Sequence, residues 1–381
     1  MKGPTMANSA TGARVAWVDV AKGICIVLVV LMHATFGVEK ALGELTPLHA
    51  FIEWARPFRM PDFFLISGLF LAARIDRPWS RYLDTKVLYF GYFYVLWLTI
   101  QFAVKSPAMI ADSGLGATLS SYGTAFVQPW GTLWFIYLLA IFFVAAKLLE
   151  PLPKIAVIAV AAFLYLVVPH TGMLIIDEFA NRFVFFYTGY AAAPAVFAFA
   201  AWLGTQNRGA IAALVALWAY LNGLAVAGGW AFWPGLDLAV SYLGIAAVIA
   251  FSVLILATVP GRTLAYCGRH SIAIYLAFPL FMAPARVLAL KLVSIAPGWA
   301  AALFSAAAGI CGALLLALIV RGTRLAFLFE RPAQFHLDSI RSRLLRSPAH
   351  TPQTGLQARI AQVVNHTDVR RTNDAHADRT V

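Results

Sequence analysis

Residues 22–33 read KGICIVLVVLMH. Ten uncharged residues separate a lysine from a histidine. With its flanks, the apolar run reaches the ~20 mostly apolar residues that a membrane-crossing helix needs. On such a helix Lys22 and His33 fall within about 20° of each other, roughly 16 Å apart along the axis. Asp19 lies about 40° from His33 and three residues from Lys22, close enough to pair with it. One polar stripe, Asp19, Lys22 and His33, is therefore expected along a membrane helix.

The whole chain agrees with that reading. Of its 381 residues 61% are hydrophobic and only 12% are charged, about half the charged share of a soluble domain. Lipid is the main solvent. The formal net charge of +12 does not point to nucleic acid, because the basic residues are spread over loops that flank apolar segments. Cys25, Cys267 and Cys311 form no metal or redox spacing and read as small core residues. No CxxC, GxGxxG, P-loop or HExxH pattern is present, and no metal is expected. Many apolar segments follow the first, so it reads as the first span of a polytopic protein rather than a cleaved signal peptide.

Ten spans are predicted, at 15–37, 49–73, 84–104, 130–149, 153–169, 178–200, 209–227, 237–258, 270–293 and 299–320, with a Gly/Ser-rich loop over 105–129 that has room for a short re-entrant helix. The expected fold is an all-α polytopic helix bundle. Its parts are an N-terminal segment over 1–14, a transmembrane domain over 15–332 and a basic, largely disordered tail over 333–381. From Arg331 onward eight Arg face four Asp. Basic loop residues set orientation. Lys2, Arg14, Arg74, Arg77, Arg81, Lys86, Lys147, Lys154, Arg208, Arg262, Arg269, Arg321 and Arg324 all fall on one side if there are ten spans. That side is expected to be cytoplasmic, with both termini inside.

The exceptions carry the functional signal. Arg56, Arg59 and Asp62, with Glu53 just before them, open the second span on the other side. Asp177, Glu178 and Arg182 open the sixth. Charges at membrane depth are costly and face a polar cavity or one another. The two readings are an ion-pair cluster holding these spans together and a functional cavity.

At these residues the sequence resembles the membrane acyltransferase type 3 family. DVAKGICIVLVVLMH matches the family's first span in Asp19, Lys22, Gly23 and His33, with Lys22 in place of the usual arginine. RMPDFFLISGLFLA resembles its second span in Phe63, Phe64, Ser67 and Gly68, and GTLWFIYLLAIFF its LWF helix in Trp134 and Phe135. FFYTGYAA around Gly189, HSIAIYLAFPLF around Tyr275 and the late ERP are weaker matches. The wording is close to a lysine-bearing bacterial inner-membrane subgroup. Phe278 stands where the family often has a second histidine. Lysine keeps the charge of arginine but loses its planar fork.

The resemblance implies about ten spans and transfer of a short acyl group, acetyl or succinyl, from acyl-CoA (acetyl-CoA or succinyl-CoA) to a carbohydrate hydroxyl. Such transfer needs a base for the O–H and donors for the oxyanion. His33 is the candidate base, since histidine titrates near neutrality. Lys22, Arg81 and Lys86 are candidates for the CoA phosphates. Trp134 or Tyr137 could stack on the acceptor sugar, with Arg56, Arg59 or Asp62 bonding it. Arg59 could instead polarise the thioester carbonyl, and Asp62 or Glu53 could orient His33. Ser67 lacks the strand–turn–helix setting of a nucleophile elbow and, with Gly68, reads as a close-packing site. Trp17, Trp79, Trp97, Trp202, Trp230 and Trp233 read as interface belts. Pro279 and Pro284 are expected to kink the ninth span. His49, His170, His270, His336, His350, His366 and His376 are assigned no chemistry. The alternative function is a transporter or exporter of a glycan or small solute; no inverted repeat or pair of broken spans supports it. A structural or sensory membrane protein would make Lys22 and His33 dispensable. The sequence leaves oligomeric state open.

Overall fold

A computed structural model describes residues 15–167, 171–291, 297–337 and 339. The expected segment 1–14, nearly all of the tail, and His170, His350, His366 and His376 lie outside the described residues. Among the described residues the chain is all helical. Thirteen α-helices follow in order: α1 Ala16–Leu42, α2 Leu48–Leu69, α3 Trp79–Leu83, α4 Tyr89–Thr124, α5 Trp134–Leu148, α6 Lys154–Val167, α7 Leu174–Ala191, α8 Ala193–Leu203, α9 Arg208–Ala227, α10 Leu236–Ile255, α11 Val259–Arg269, α12 Ser271–Leu290 and α13 Gly298–Val320. A π-helical turn, Asp84–Leu88, joins α3 to α4. The chain divides into Met1–Arg331 and Pro332–Val381.

Each of the ten segments read from the sequence coincides with a helix. Seven helical stretches are long and apolar enough to cross a membrane, and α7 with α8, bent by 73°, makes an eighth. The two remaining segments miss for visible reasons. Helix α2 carries Glu53, Arg56, Arg59 and Asp62, and α6 has 14 residues. The stretch expected as a loop over 105–129 is instead helical to Thr124, broken only at Gly114, whose φ of 81° and ψ of 164° lie outside the helical region. Its polar Ser and Thr residues bond carbonyls three or four residues back, as Ser113, Thr118 and Ser121 do, so a polar composition did not prevent helix formation.

Small residues set how closely the helices approach. A Cβ at Gly68 would overlap the Phe186 carbonyl oxygen, and one at Gly189 the Leu65 carbonyl oxygen. This reciprocal pair joins α2 to α7. A second pair joins α1 to α11, where Gly23 meets the Leu264 carbonyl and Gly268 the Asp19 carbonyl. The glycines of the DVAKG, LISG and YTGY motifs are thus contact points between backbones. Of the two readings of the charges that open α2 and α7, an ion-pair cluster joining the helices is not seen among the ion pairs of the described residues: Arg56 pairs with Glu53 and Arg182 with Glu178, each within its own helix.

Prolines inside a membrane helix free carbonyls that must find donors. Pro61 frees the Pro57 carbonyl, which accepts from Ser241 Oγ at 2.7 Å. Trp54 O, three residues before Pro57, accepts from Asn222 Nδ2 at 2.8 Å. In α12 Pro279 and Pro284 stay within one continuous helix, and Gln101 Nε2 donates to Leu276 O beside the first of them. Arg331, the arginine of the ERP motif, bonds both the carbonyl and the carboxylate of Asp84, tying the C-terminal end of this unit to the π-helical turn.

Two groups of residues depart from the expectations. Trp97 is fully buried and donates to Leu328 O, and Trp17 is buried in the core, so neither is a belt residue; Trp79, Trp202, Trp230 and Trp233 are exposed. Cys311 is exposed on α13, whereas Cys25 and Cys267 are buried.

Candidate active site

The polar stripe of α1 organises two places. At the Lys22 end, a cavity of about 310 Å³ lies between α1, α2, the π-helical turn, α4, α5 and α12. Its charged lining is entirely basic: Lys22, Arg74 and Lys86. The aromatic walls seat two of these cations. Lys22 Nζ stands 5.4 Å from the Phe70 ring centroid and Lys86 Nζ 4.4 Å from that of Phe143. Phe63, stacked on Phe135 at 4.6 Å, and Tyr275, 5.6 Å from Phe135, line the cavity as well. The Tyr275 hydroxyl bonds the Thr132 carbonyl, fixing α12 to the turn before α5. Ser67 lines the same cavity, but its hydroxyl is spent on Phe63 O at 2.8 Å.

His33 does not line this cavity. It is half-buried, and its ring stands 5.6 Å from that of Phe278, tilted by 32°. The position where relatives often carry a second histidine therefore abuts the first. Arg59 lies on α2, which packs against α1. It is 6% exposed, donates only a long 3.4 Å bond to Ile52 O, and has a sealed Nε with no partner. An unpaired guanidinium donor in a nearly dry setting is suited to a developing or resident negative charge.

Asp62 is fully buried one turn from Arg59. Its Oδ2 accepts from Cys25 Sγ at 2.8 Å, and its Oδ1 has no partner. Neither carboxylate suggested to orient His33 bonds it, since Glu53 is paired with Arg56 at 3.0 Å. The structure thus joins Cys25 of α1 to Asp62 of α2, with Arg59 one turn away on α2 and His33 further along α1. Other predicted residues lie elsewhere. Arg81 is exposed and lines no part of the cavity, where Arg74 stands instead. Arg56 is exposed, over the Phe232 ring. Tyr137 donates to Phe126 O and packs on Tyr94, while Trp134 packs on Phe64 and Phe135; neither is brought to His33.

Sequence reasoning missed Arg74 as a lining residue, the Cys25–Asp62 bond and the Glu39–His49 pair. Glu39, buried near the end of α1, accepts from Thr46 N, Thr46 Oγ1 and His49 Nδ1 at 2.9–3.0 Å. Only the spacing of Glu39 and His49 across the short turn between two helices could have suggested it. No group of three or more metal-ligating side chains occurs among the described residues.

The family model described as an acyltransferase domain matches residues 15–318, most of the chain. The inner membrane protein YcfT of Escherichia coli (strain K12) is 29% identical over 189 residues, covering 41% of this chain and 51% of that protein. The match spans about half the length of that relative. No solved structure matches the chain significantly.

Proposed function

Since the chain belongs to the acyltransferase family, we propose that it moves a short acyl group, acetyl or succinyl, from acyl-CoA to a hydroxyl of a surface or periplasmic carbohydrate. It sits in the bacterial inner membrane, as its relative is named to do, with ten crossings and both termini cytoplasmic. The observation that carries this reading is the division of α1: a cavity whose charged lining is cationic lies at Lys22, and a half-buried imidazole lies at His33, with the buried, incompletely bonded Arg59 on the neighbouring α2.

The phosphates of CoA meet Lys22, Arg74 and Lys86 at the cytoplasmic mouth. The pantetheine arm follows the cavity toward Phe63 and Phe135, whose rings must part to let the acyl group pass. His33 takes the proton of the acceptor hydroxyl as its oxygen attacks the thioester carbonyl. Arg59 stabilises the oxyanion, and the CoA thiolate leaves, taking up the proton. Loss of one general base costs typically 10²–10⁴-fold in rate.

The test is ester content. Surface and periplasmic glycans from deletion, complemented and His33→Ala strains are compared by mass spectrometry, with the variant's membrane level matched to wild type. The ester is expected to vanish with the deletion, return on complementation and stay absent with His33→Ala. Unchanged ester with His33→Ala overturns the base assignment, and unchanged ester in the deletion strain overturns the acceptor class.

A further inference from the structure

We propose that the uncapped N-terminus of α12 and the Ser271 hydroxyl seat the diphosphate of the acyl donor inside the cavity at Lys22. This deepens the acyl-transfer reading and rests on it for the identity of the ligand as acyl-CoA.

The starting point is the hydroxyl accounting of the cavity wall. Three hydroxyl-bearing residues line it: Ser67, Ser271 and Tyr275. Ser67 donates to the Phe63 carbonyl and Tyr275 to the Thr132 carbonyl. Ser271 is only 8% exposed, yet its hydroxyl has no hydrogen-bond partner among the described residues. Its Oγ is not sealed in the packing, so the cavity is what it faces. A buried hydroxyl without a partner costs free energy unless a ligand or water bonds it.

The backbone beside it is in the same condition. The first N–H groups of a helix have no partner within it and are met by a capping side chain, water or a ligand. Helix α12 runs for 20 residues from Ser271, and its N-cap, His270, contributes no side-chain bond to it. The His270 ring instead turns back onto α11, where Nδ1 donates to the Tyr266 carbonyl at 2.9 Å and the two rings lie 4.4 Å apart. No acceptor among the described residues takes the N–H of Ser271, Ile272 or Ala273. Ser271 and Ile272 both line the cavity, so the positive end of the α12 dipole opens onto it.

The same cavity holds the cations Lys22, Arg74 and Lys86. Packing fixes the juxtaposition. Gly268, three residues before Ser271, sits against the Asp19 carbonyl and the Gly23 amide, which flank Lys22 in α1. No lining residue is acidic. Of the carboxylates in neighbouring segments, Asp84 is paired with Arg331 and Glu150 with Lys147. Asp19 and Asp76 do not line the cavity, and among the described residues neither forms an ion pair with its cations. Unspent N–H groups, a free hydroxyl and cations together suit a dense anion, and a diphosphate at a helix N-terminus places its oxygens on several donors at once. Depth assigns which phosphate. Arg74 is exposed, Lys22 and Lys86 are half-buried and Ser271 is buried. The 3′-phosphate of the nucleotide therefore stays at the cationic rim, and the diphosphate, next to the pantetheine arm, sits deeper at Ser271.

The full chain in phosphatidylcholine nanodiscs is titrated at equilibrium with three probes. These are CoA, dephospho-CoA, which lacks the 3′-phosphate but keeps the diphosphate, and pantetheine, which has no phosphate. Wild type is expected to bind both nucleotides more tightly than pantetheine. Ser271→Ala removes one hydrogen bond to a charged group and should weaken CoA and dephospho-CoA alike, each about tenfold, with pantetheine unchanged. Ser271→Thr keeps the hydroxyl and should keep most of the affinity. Size-exclusion profiles establish that each variant is intact. If wild type prefers CoA to pantetheine and Ser271→Ala leaves that preference unchanged, the inference falls and the donor reading stands. A loss confined to CoA puts the 3′-phosphate at α12 and overturns the diphosphate assignment. An equal loss for pantetheine marks a packing effect and overturns it too. CoA bound no better than pantetheine by wild type removes both the inference and phosphate binding in this cavity. Ser271-dependent binding by a protein that transfers no acyl group refutes the acyl-transfer reading alone.

Discussion

The cavity at Lys22 gives a prediction that separates neighbouring basic residues. Lys22, Arg74 and Lys86 line it, and Arg81, in the same basic loop region, does not. If the cavity holds the phosphates of CoA, each lining cation makes at least one charge-assisted contact, worth about 1.5–3 kcal/mol. Arg74 is exposed, and solvent screening puts its share at the low end. Lys86 is half-buried against Phe143 and should stand higher. Substituting each by Gln is then expected to raise KM for acyl-CoA roughly tenfold for Arg74 and about tenfold to a hundredfold for Lys22 and Lys86. Arg81→Gln should stay within about twofold, the usual effect of a surface change. The assay is acyl transfer by purified protein in nanodiscs, run in parallel with acyl-CoA and with the same acyl group on N-acetylcysteamine, which has no phosphate. The losses should appear with acyl-CoA and shrink to near nothing with the truncated donor. They should also shrink as salt rises, most for Arg74. Equal losses with both donors, or an Arg81 effect as large as that of Lys86, would refute phosphate binding in this cavity.

Three further outcomes are expected. Gly68→Val or Gly189→Val forces α2 and α7 apart at carbonyl contact; overpacking of this kind costs about 1–3 kcal/mol, read as a lowered thermal unfolding midpoint in detergent, whereas Gly91→Ala, with open space around its Cβ position, should leave the midpoint unchanged. Cys25→Ala strips the buried Asp62 of its donor, at about 1–3 kcal/mol for an unsatisfied buried acceptor, and Cys25→Ser should recover most of it; a midpoint equal to wild type for Cys25→Ala would show that the thiol contributes nothing. Phe63→Ala removes one ring of a stacked pair that lines the cavity and should shift donor preference toward longer acyl groups, measured as the ratio of kcat/KM for butyryl-CoA and acetyl-CoA; an unchanged ratio would place the acyl path elsewhere.

How much of this was legible in the sequence depends on the range over which each signal acts. The helical character of all ten segments followed from hydropathy, because lipid leaves a backbone few alternatives. The shared face of Lys22 and His33 followed from the register of one helix. The stretch 105–124 was misread because its Ser and Gly residues look like a loop, yet its hydroxyls turn back on their own helix. Arg81 was preferred to Arg74 because both are basic neighbours in one loop, and only the packing of α2 on α5 decides which one reaches the cavity. The Cys25–Asp62 bond joins residues 37 apart, and the close approach of the Arg286 guanidinium of α12 to α1 at Gly37 joins residues still further apart. No periodicity within one element reports such a pairing.

The same distinction explains what the motif glycines do. In sequence, Gly23 sits next to Lys22 and Gly68 next to Ser67, so both look like parts of catalytic motifs. In space, each faces away from the chemistry, against a carbonyl of α11 or α7. Their placement is nevertheless functional in consequence. Drawing α11 onto one side of α1 and α7 onto one side of α2 leaves the opposite sides to meet each other, and that is where Lys22, Cys25, Asp62 and Phe63 come together. A substitution at Gly23 should therefore disturb Lys22 through the angle of α1 rather than through any contact of its own. Gly23→Ala is then expected to behave like a mild loss of both stability and donor binding, while Lys22→Gln lowers donor binding alone.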